Sequence, residues 1–169
     1  MRSRRSIRST SASATTLSPG VRTQVAGALS VKAALFGLLK RNQEALETCD
    51  RLLLRFGDSP APGLRQPVAA MLLIMAGQLA QMEREEEAFA VLDRADAWLD
   101  EASEPRLRLM HAFGLNLRGA ILSEAPNRQN DAIAALDDLI ARFGNDADPA
   151  IQKLVNDARD ERQDLDSAA

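Results

Sequence analysis

One eight-residue phrase occurs twice in this chain, as "RFGDSPAP" at 55–62 and "RFGNDADP" at 142–149. Each copy ends at a proline, and two more prolines keep the same interval: the four are Pro19, Pro62, Pro105 and Pro149, spaced by 43, 43 and 44 residues. The letters after each proline also agree ("PGVR", "PGLR", "PRLR" and "PAIQ"). Such a period is typical of an array in which each unit buries its apolar face on its neighbours.

The first half of each unit carries a stripe of apolar and small residues. In the first unit Val25, Leu29, Ala33 and Phe36 stand at i, i+4, i+8 and i+11, which is the spacing of one face of an α-helix. The later units continue the stripe with Val68, Leu72, Ala76 and Leu79, and with His111, Leu115, Gly119 and Leu122. The pattern therefore predicts that every unit opens with a long helix.

A turn signature divides each unit in two. It reads "RNQEA", "REEEA" and "RQNDA" in the three units, and the third copy comes one residue late. The delay indicates a one-residue insertion near Pro126. Each signature opens a second apolar stripe, and the predicted second helices are 42–56, 85–99 and 129–143.

The ends of these helices have signals of their own. Gly57 and Gly144 follow second helices, where we expect left-handed backbone. Pro67 lies too far into the second unit's first helix to keep its hydrogen bond, so we expect that helix to start there after a loose turn over 58–66. Three residues precede repeat prolines as N-cap candidates: Ser18, Glu104 and Asp148.

The whole chain favours helices over strands, since Ala and Leu dominate it while aromatic residues make up only 4%. The predicted fold is an all-α solenoid of three stacked antiparallel helix pairs plus a C-terminal capping helix, which is apolar on one face only. The expected segments are a basic tail at 1–18, units at 19–61, 62–104 and 105–148, and the cap helix at 149–166.

Charge is unevenly distributed along the chain. Residues 1–43 hold eight Arg and Lys and no carboxylate, whereas the net charge of the whole is −3. The tail at 1–18, rich in Arg, Ser and Thr, is expected to be disordered, and an organelle-targeting segment is the alternative. We expect no nucleic-acid partner, because no aromatic or folded basic surface accompanies the tail.

Membrane insertion is not expected, and the expected location is the cytoplasm. The longest apolar run, 68–80, has 13 residues, whereas a spanning helix needs about 20. The single cysteine, Cys49, fits a reducing compartment, since it has no partner for an intramolecular disulfide.

A long helix, a turn ending in "R-x-[EDQN]-[ED]-A", a second helix and a proline-led restart together resemble the tetratricopeptide repeat, in the long-unit variant common in bacterial repeat proteins. The resemblance covers about 19–166. The small residue of the family's first helix corresponds to Ala33, Ala76 and Gly119. Its bulky partner three residues later corresponds to Phe36, Leu79 and Leu122. The small residue of the family's second helix corresponds to Ala45, Ala88 and Ala132. The unit of about 43 residues exceeds the family's 34, and the family's early tryptophan is missing.

Residues with catalytic potential are few. His111 is the only histidine and occupies an apolar stripe position, and Cys49 lies among leucines, so both are predicted to be structural. The carboxylates at 85–87 open a helix, where they complement its dipole. We therefore expect no enzyme activity, no cofactor and no metal.

The resemblance implies a binding scaffold whose first helices line a concave groove for a peptide or helix of a partner protein. The candidate groove residues are Ser30, Leu38, Leu73, Gly77, Gln81, Phe113, Asn116 and Glu124. Leu73 is expected to supply the central apolar contact; the alternative is that Leu73 and Phe113 belong to the core between the repeats. Two alternatives are a self-associating structural array, hence a homo-oligomer, and a regulatory piece of a larger enzyme complex.

Overall fold

A computed structural model describes residues 18–59 and 61–167. Its helices are α1 (Pro19–Leu38), α2 (Asn42–Phe56), α3 (Pro62–Gln81), α4 (Glu85–Leu99), α5 (Pro105–Glu124), α6 (Gln129–Phe143) and α7 (Pro149–Ser167). These described ranges contain no strand, and the predicted all-α solenoid is confirmed. The disorder expected for the tail at 1–18 falls, apart from Ser18, outside the described residues.

The helices pack in the order of a solenoid. Each helix contacts the next, and the first helices also contact one another, α1 with α3, α3 with α5, and α5 with α7. Across the described residues, the backbones of the first and third helix pairs do not approach each other closely. The stability of the chain therefore rests on contacts between neighbouring units.

Small residues allow the two helices of a unit to approach closely. Ala45, Ala88 and Ala132 of the second helices are fully buried, as the repeat pattern predicts. In the third unit a Cβ added to Gly119 would lie 2.7 Å from Cδ2 of Leu136, so a larger residue there would require that leucine to shift. These positions set the spacing at which the first and second helices pack.

The corner between the helices of each unit uses a left-handed residue. Lys40, Glu83 and Asn127 have φ angles of 57°, 58° and 61°. In the first two units the following arginine N–H bonds to the carbonyl five residues back, Arg41 to Phe36 at 2.9 Å and Arg84 to Leu79 at 3.0 Å. This is the hydrogen-bond pattern of a Schellman motif, which reverses the chain while satisfying the last carbonyls of the helix.

The predicted second helices and the insertion near Pro126 are confirmed, because the third corner runs from 125 to 128 and is one residue longer than the others. The left-handed backbone expected at Gly57 and Gly144 is wrong, since both are right-handed. A Cβ there would collide with the carbonyl oxygens of Leu53 and Ile140. Asp100 ends the second helix of the second unit in the same right-handed conformation, so this position does not require a positive φ.

The expected start of α3 at Pro67 is also wrong. The helix begins at Pro62 and includes Pro67, whose ring nitrogen lacks the N–H that would bond to the carbonyl of Gly63. Packing outweighs this loss. Leu64, in the first turn of α3, is buried, and Nε1 of Trp98 donates a hydrogen bond to the carbonyl oxygen of Arg65 at 3.4 Å.

Only one of the three N-cap candidates caps its helix with its side chain. Oδ1 of Asp148 accepts a hydrogen bond from the N–H of Ala150 at 2.8 Å. Ser18 and Glu104 make no such bond. For these two, the proline at the first helical position supplies the start signal by fixing φ.

The left-handed corner leads to a stability prediction. Glu83 is exposed, and its left-handed backbone strains any residue with a Cβ but not glycine. Glu83→Gly is therefore expected to raise the free energy of unfolding by about 1 kcal/mol. Urea denaturation measures the change. Ala90→Gly, at an exposed position inside α4, is the control and should lower it by about 1 kcal/mol. Equal losses in both variants would show that Glu83 is unstrained.

Candidate binding groove

The first helices of the three units line an open groove of about 600 Å³. α1 contributes Ala34, Gly37 and Leu38, and the corner after it contributes Lys40; α3 contributes Leu73, Ile74, Gly77, Gln78 and Gln81; α5 contributes Phe113 and Leu117. A cleft of this size falls within the range of ordinary ligand sites. It is mostly apolar, as the sequence predicts for a surface shared by first helices.

Five of the eight candidate residues lie together in this groove, namely Leu38, Leu73, Gly77, Gln81 and Phe113. The other three do not line it. The Ser30 hydroxyl donates to the carbonyl of Ala26 in its own helix at 3.0 Å, Asn116 is half-buried, and Glu124 is exposed at the last position of α5. The groove therefore covers a shorter stretch of the first helices than the eight candidate residues span.

The floor and the walls of the groove differ in depth. Leu73 is 7% exposed and lies under the floor, where a Cβ added to Gly114 would sit 3.0 Å from its Cδ2. Gly77 opens directly into space, since an added Cβ would meet nothing within 4 Å. Leu38 and Phe113 are 80% and 46% exposed. The accessible apolar contacts are thus the two wall residues, and Leu73 supports them from below.

Gln78 is a groove residue that sequence reasoning missed. It is only 7% exposed, and its Oε1 has no hydrogen-bond partner among the described residues. Its amide is held against α1, where a Cβ added to Gly37 would lie 2.8 Å from Nε2. The available signal was that Gln78 is the only polar side chain in the run 68–80. A buried acceptor without a partner is unfavourable by about 1–3 kcal/mol.

One edge of the groove is basic. Nζ of Lys40 lies 3.5 Å from Oε1 of Gln81, which joins the end of α1 to the end of α3. Both side chains are exposed, so this contact contributes little to stability. It leaves a positive charge beside the apolar walls.

A second cleft of about 480 Å³ is polar and lies along α4. Nε2 of His111 is 2.5 Å from Oδ1 of Asp96, and Nη1 of Arg142 lies 2.8 Å from Oδ1 of Asp100. A hydrogen bond to Asp138, together with the Asp96 and Asp100 charges, raises the pKa of Arg142. His111 also meets the ring of Phe143 edge-on at 5.5 Å. These groups satisfy one another across units and form a structural network.

Cys49 is fully buried in α2. Burial, and to a lesser degree the Asp50 charge, raises the pKa of its thiol to about 12. The thiolate is the reactive form, so this side chain is a poor nucleophile. In the described ranges no group of three or more His, Cys, Asp or Glu side chains could hold a metal ion.

No protein-family model matches this chain, and a search of curated protein sequences returns no match. The resemblance to the tetratricopeptide repeat therefore stays a prediction. None of the helices within 18–59 and 61–167 has the length and apolarity required to span a membrane.

The environment of Cys49 predicts its reactivity. In the folded protein at about pH 8, the thiol is expected to resist the thiol reagent 5,5′-dithiobis(2-nitrobenzoic acid), because it is inaccessible and its pKa is raised to about 12. In concentrated urea it should react as fast as a free cysteine. Rapid reaction without urea would contradict the burial of α2 against its neighbours.

Proposed function

We propose that this chain is a non-catalytic protein-interaction module of the tetratricopeptide type, whose groove binds a helix with an apolar face from a partner protein. The observation that carries the proposal is the exposure of Leu38 and Phe113 in one groove. Large apolar side chains exposed together are typical of interaction surfaces. A reducing, cytoplasmic setting is part of the proposal and rests on the lone, buried thiol of Cys49.

The shape of the groove favours a helix over a flat surface. Ala34, Gly37 and Gly77 keep the space between the walls free of bulk. Apolar side chains at i, i+3 or i+4 of a partner helix could then enter beside Leu38 and Phe113. Binding energy in such interfaces concentrates in a few central apolar or aromatic contacts.

Gln78 gives the groove a polar point of recognition. Its Oε1 is without a partner among the described residues, at the foot of a mostly apolar cleft. A partner N–H or hydroxyl reaching the floor, with rotation of the amide, would supply the missing hydrogen bond. Such a contact favours ligands that bring a donor, because an apolar ligand leaves the acceptor unsatisfied.

Photo-crosslinking in the source cell tests the proposal. With p-benzoylphenylalanine at position 113 we expect a discrete crosslinked partner, and Leu38→Glu should reduce its yield about tenfold or more, because a carboxylate is placed against the partner's apolar face. Circular dichroism should show the same helix content, since Leu38 is exposed. Leu73→Glu would not isolate the binding surface, because Leu73 is buried and a carboxylate there is expected to destabilise the fold.

The matched control is Leu54→Glu. Leu54 is 88% exposed on α2 and lies outside the groove. The Leu54→Glu substitution should leave the yield of the crosslink from position 113 unchanged. Equal loss in Leu38→Glu and Leu54→Glu, or no crosslink from position 113, would place the partner surface elsewhere.

A further inference from the structure

α1 has a second apolar surface, which faces away from the rest of the array. We call it the outer face of α1, and its residues are Val21, Ala28, Val31 and Leu35, together with Leu39 directly after the helix. Val31, Leu35 and Leu39 are 61%, 53% and 64% exposed. At 100° per residue all five lie within about a quarter of the helix circumference. They therefore form one continuous stripe and not scattered surface residues.

The repeat shows what this stripe is built to do. At the register positions of Val21, Ala28 and Leu35, the later first helices hold buried residues: Leu64, Met71 and Gln78 in α3, and Leu107, Gly114 and Ile121 in α5. The position of Val31 holds Ile74 and Leu117, which are half-buried and line the groove. α3 packs on α1 and α2, and α5 packs on α3 and α4, which are the helices of the preceding unit. The outer face of α1 is thus the surface by which a unit stacks on its predecessor, and no described residue covers it.

Charge indicates what kind of helix fits there. Lys32 borders the stripe at the register position of Arg118 in α5. Arg118 lies 2.5 Å from Oδ1 of Asp93 and 6.0 Å from the ring centroid of Phe89, both on α4. The segment 18–43 carries Arg and Lys but no carboxylate. An occupant that resembles α4, acidic on one side and apolar on the other, would match both the stripe and the charge.

We propose that the outer face of α1 binds an acidic amphipathic helix of a partner protein, in the way that α5 receives α4. A carboxylate of that helix pairs with Lys32, and its apolar side covers Leu35 and its neighbours on the stripe. This site adjoins the groove, since Leu38 lies next to Val31 around α1, but its occupation does not require a ligand in the groove.

Two other occupants fit less well. A second copy pairing through the same face would set Lys32 against its own counterpart, a like-charge contact that does not favour this arrangement. A second copy could instead bring its α7 to this face. The outward side of α7 presents exposed polar residues, among them Lys153, Asp160 and Gln163, and so offers no apolar surface to match the stripe. Residues 1–17 bring four arginines to a surface that is already basic.

A peptide with the sequence of residues 84–100, labelled with fluorescein, serves as the probe. Its anisotropy is titrated with the full chain, and saturable binding is expected. Leu35→Glu should weaken it about tenfold or more, because a carboxylate replaces the central apolar contact. Lys32→Glu should weaken it about threefold, as befits an exposed ion pair, and a peptide carrying Asp93→Lys should recover that loss.

Matched controls make the outcome specific. Leu54→Glu and Phe113→Glu change exposed apolar residues outside the outer face, so both should bind the peptide like the unaltered chain. Circular dichroism of each variant checks that it is folded. Failure of the groove crosslink would leave these results unchanged, so the two proposals are tested independently.

Three results would overturn the proposal. The first is the absence of saturable binding by the unaltered chain. The second is an equal loss in Leu35→Glu and Leu54→Glu. The third is a dimeric mass of the full chain by light scattering that Leu35→Glu converts to a monomer, which would make a second copy the occupant.

Discussion

Stacking of each helix pair on the preceding pair is the interaction on which the rest of this structure depends. The backbones of the first and third pairs do not approach each other closely within the described residues, so no long-range packing compensates for a weakened neighbour contact. The stacking surfaces are made of buried apolar residues such as Leu64 and Leu107, with the Arg118–Asp93 pair at the edge. Burial of these surfaces provides the main driving force, and the exposed ion pair adds little.

Both proposed surfaces follow from this stacking. Because first helices contact first helices, their remaining faces come together as a groove with Leu38 and Phe113 on its walls. Because every unit keeps the same stacking register, the first unit presents that register to solvent on α1. One packing rule thus accounts for both candidate binding surfaces: a groove across the units and a stacking face on α1.

The sequence predicts the helices well because their limits are local signals, prolines at the starts and the arginine turn signature between the pairs. It is wrong where tertiary packing outweighs local preference: α3 includes Pro67 because Leu64 and Trp98 hold the preceding turn. In the groove, register identifies Leu38 and Phe113 but not the depth of Leu73, which depends on how closely α3 and α5 approach at Gly114. The unsatisfied acceptor of Gln78 is visible only in three dimensions.

Insertion of one additional unit tests the stacking account most directly. A copy of residues 62–104 placed between Ser18 and Pro19 keeps the repeat register and brings its second helix onto the outer face of α1. The account predicts a single urea transition with a higher midpoint and a larger m-value than the unaltered chain, since more surface is buried in one cooperative array. An unchanged or lower midpoint, or a separate early transition of the added unit, would show that α1 does not carry a stacking surface.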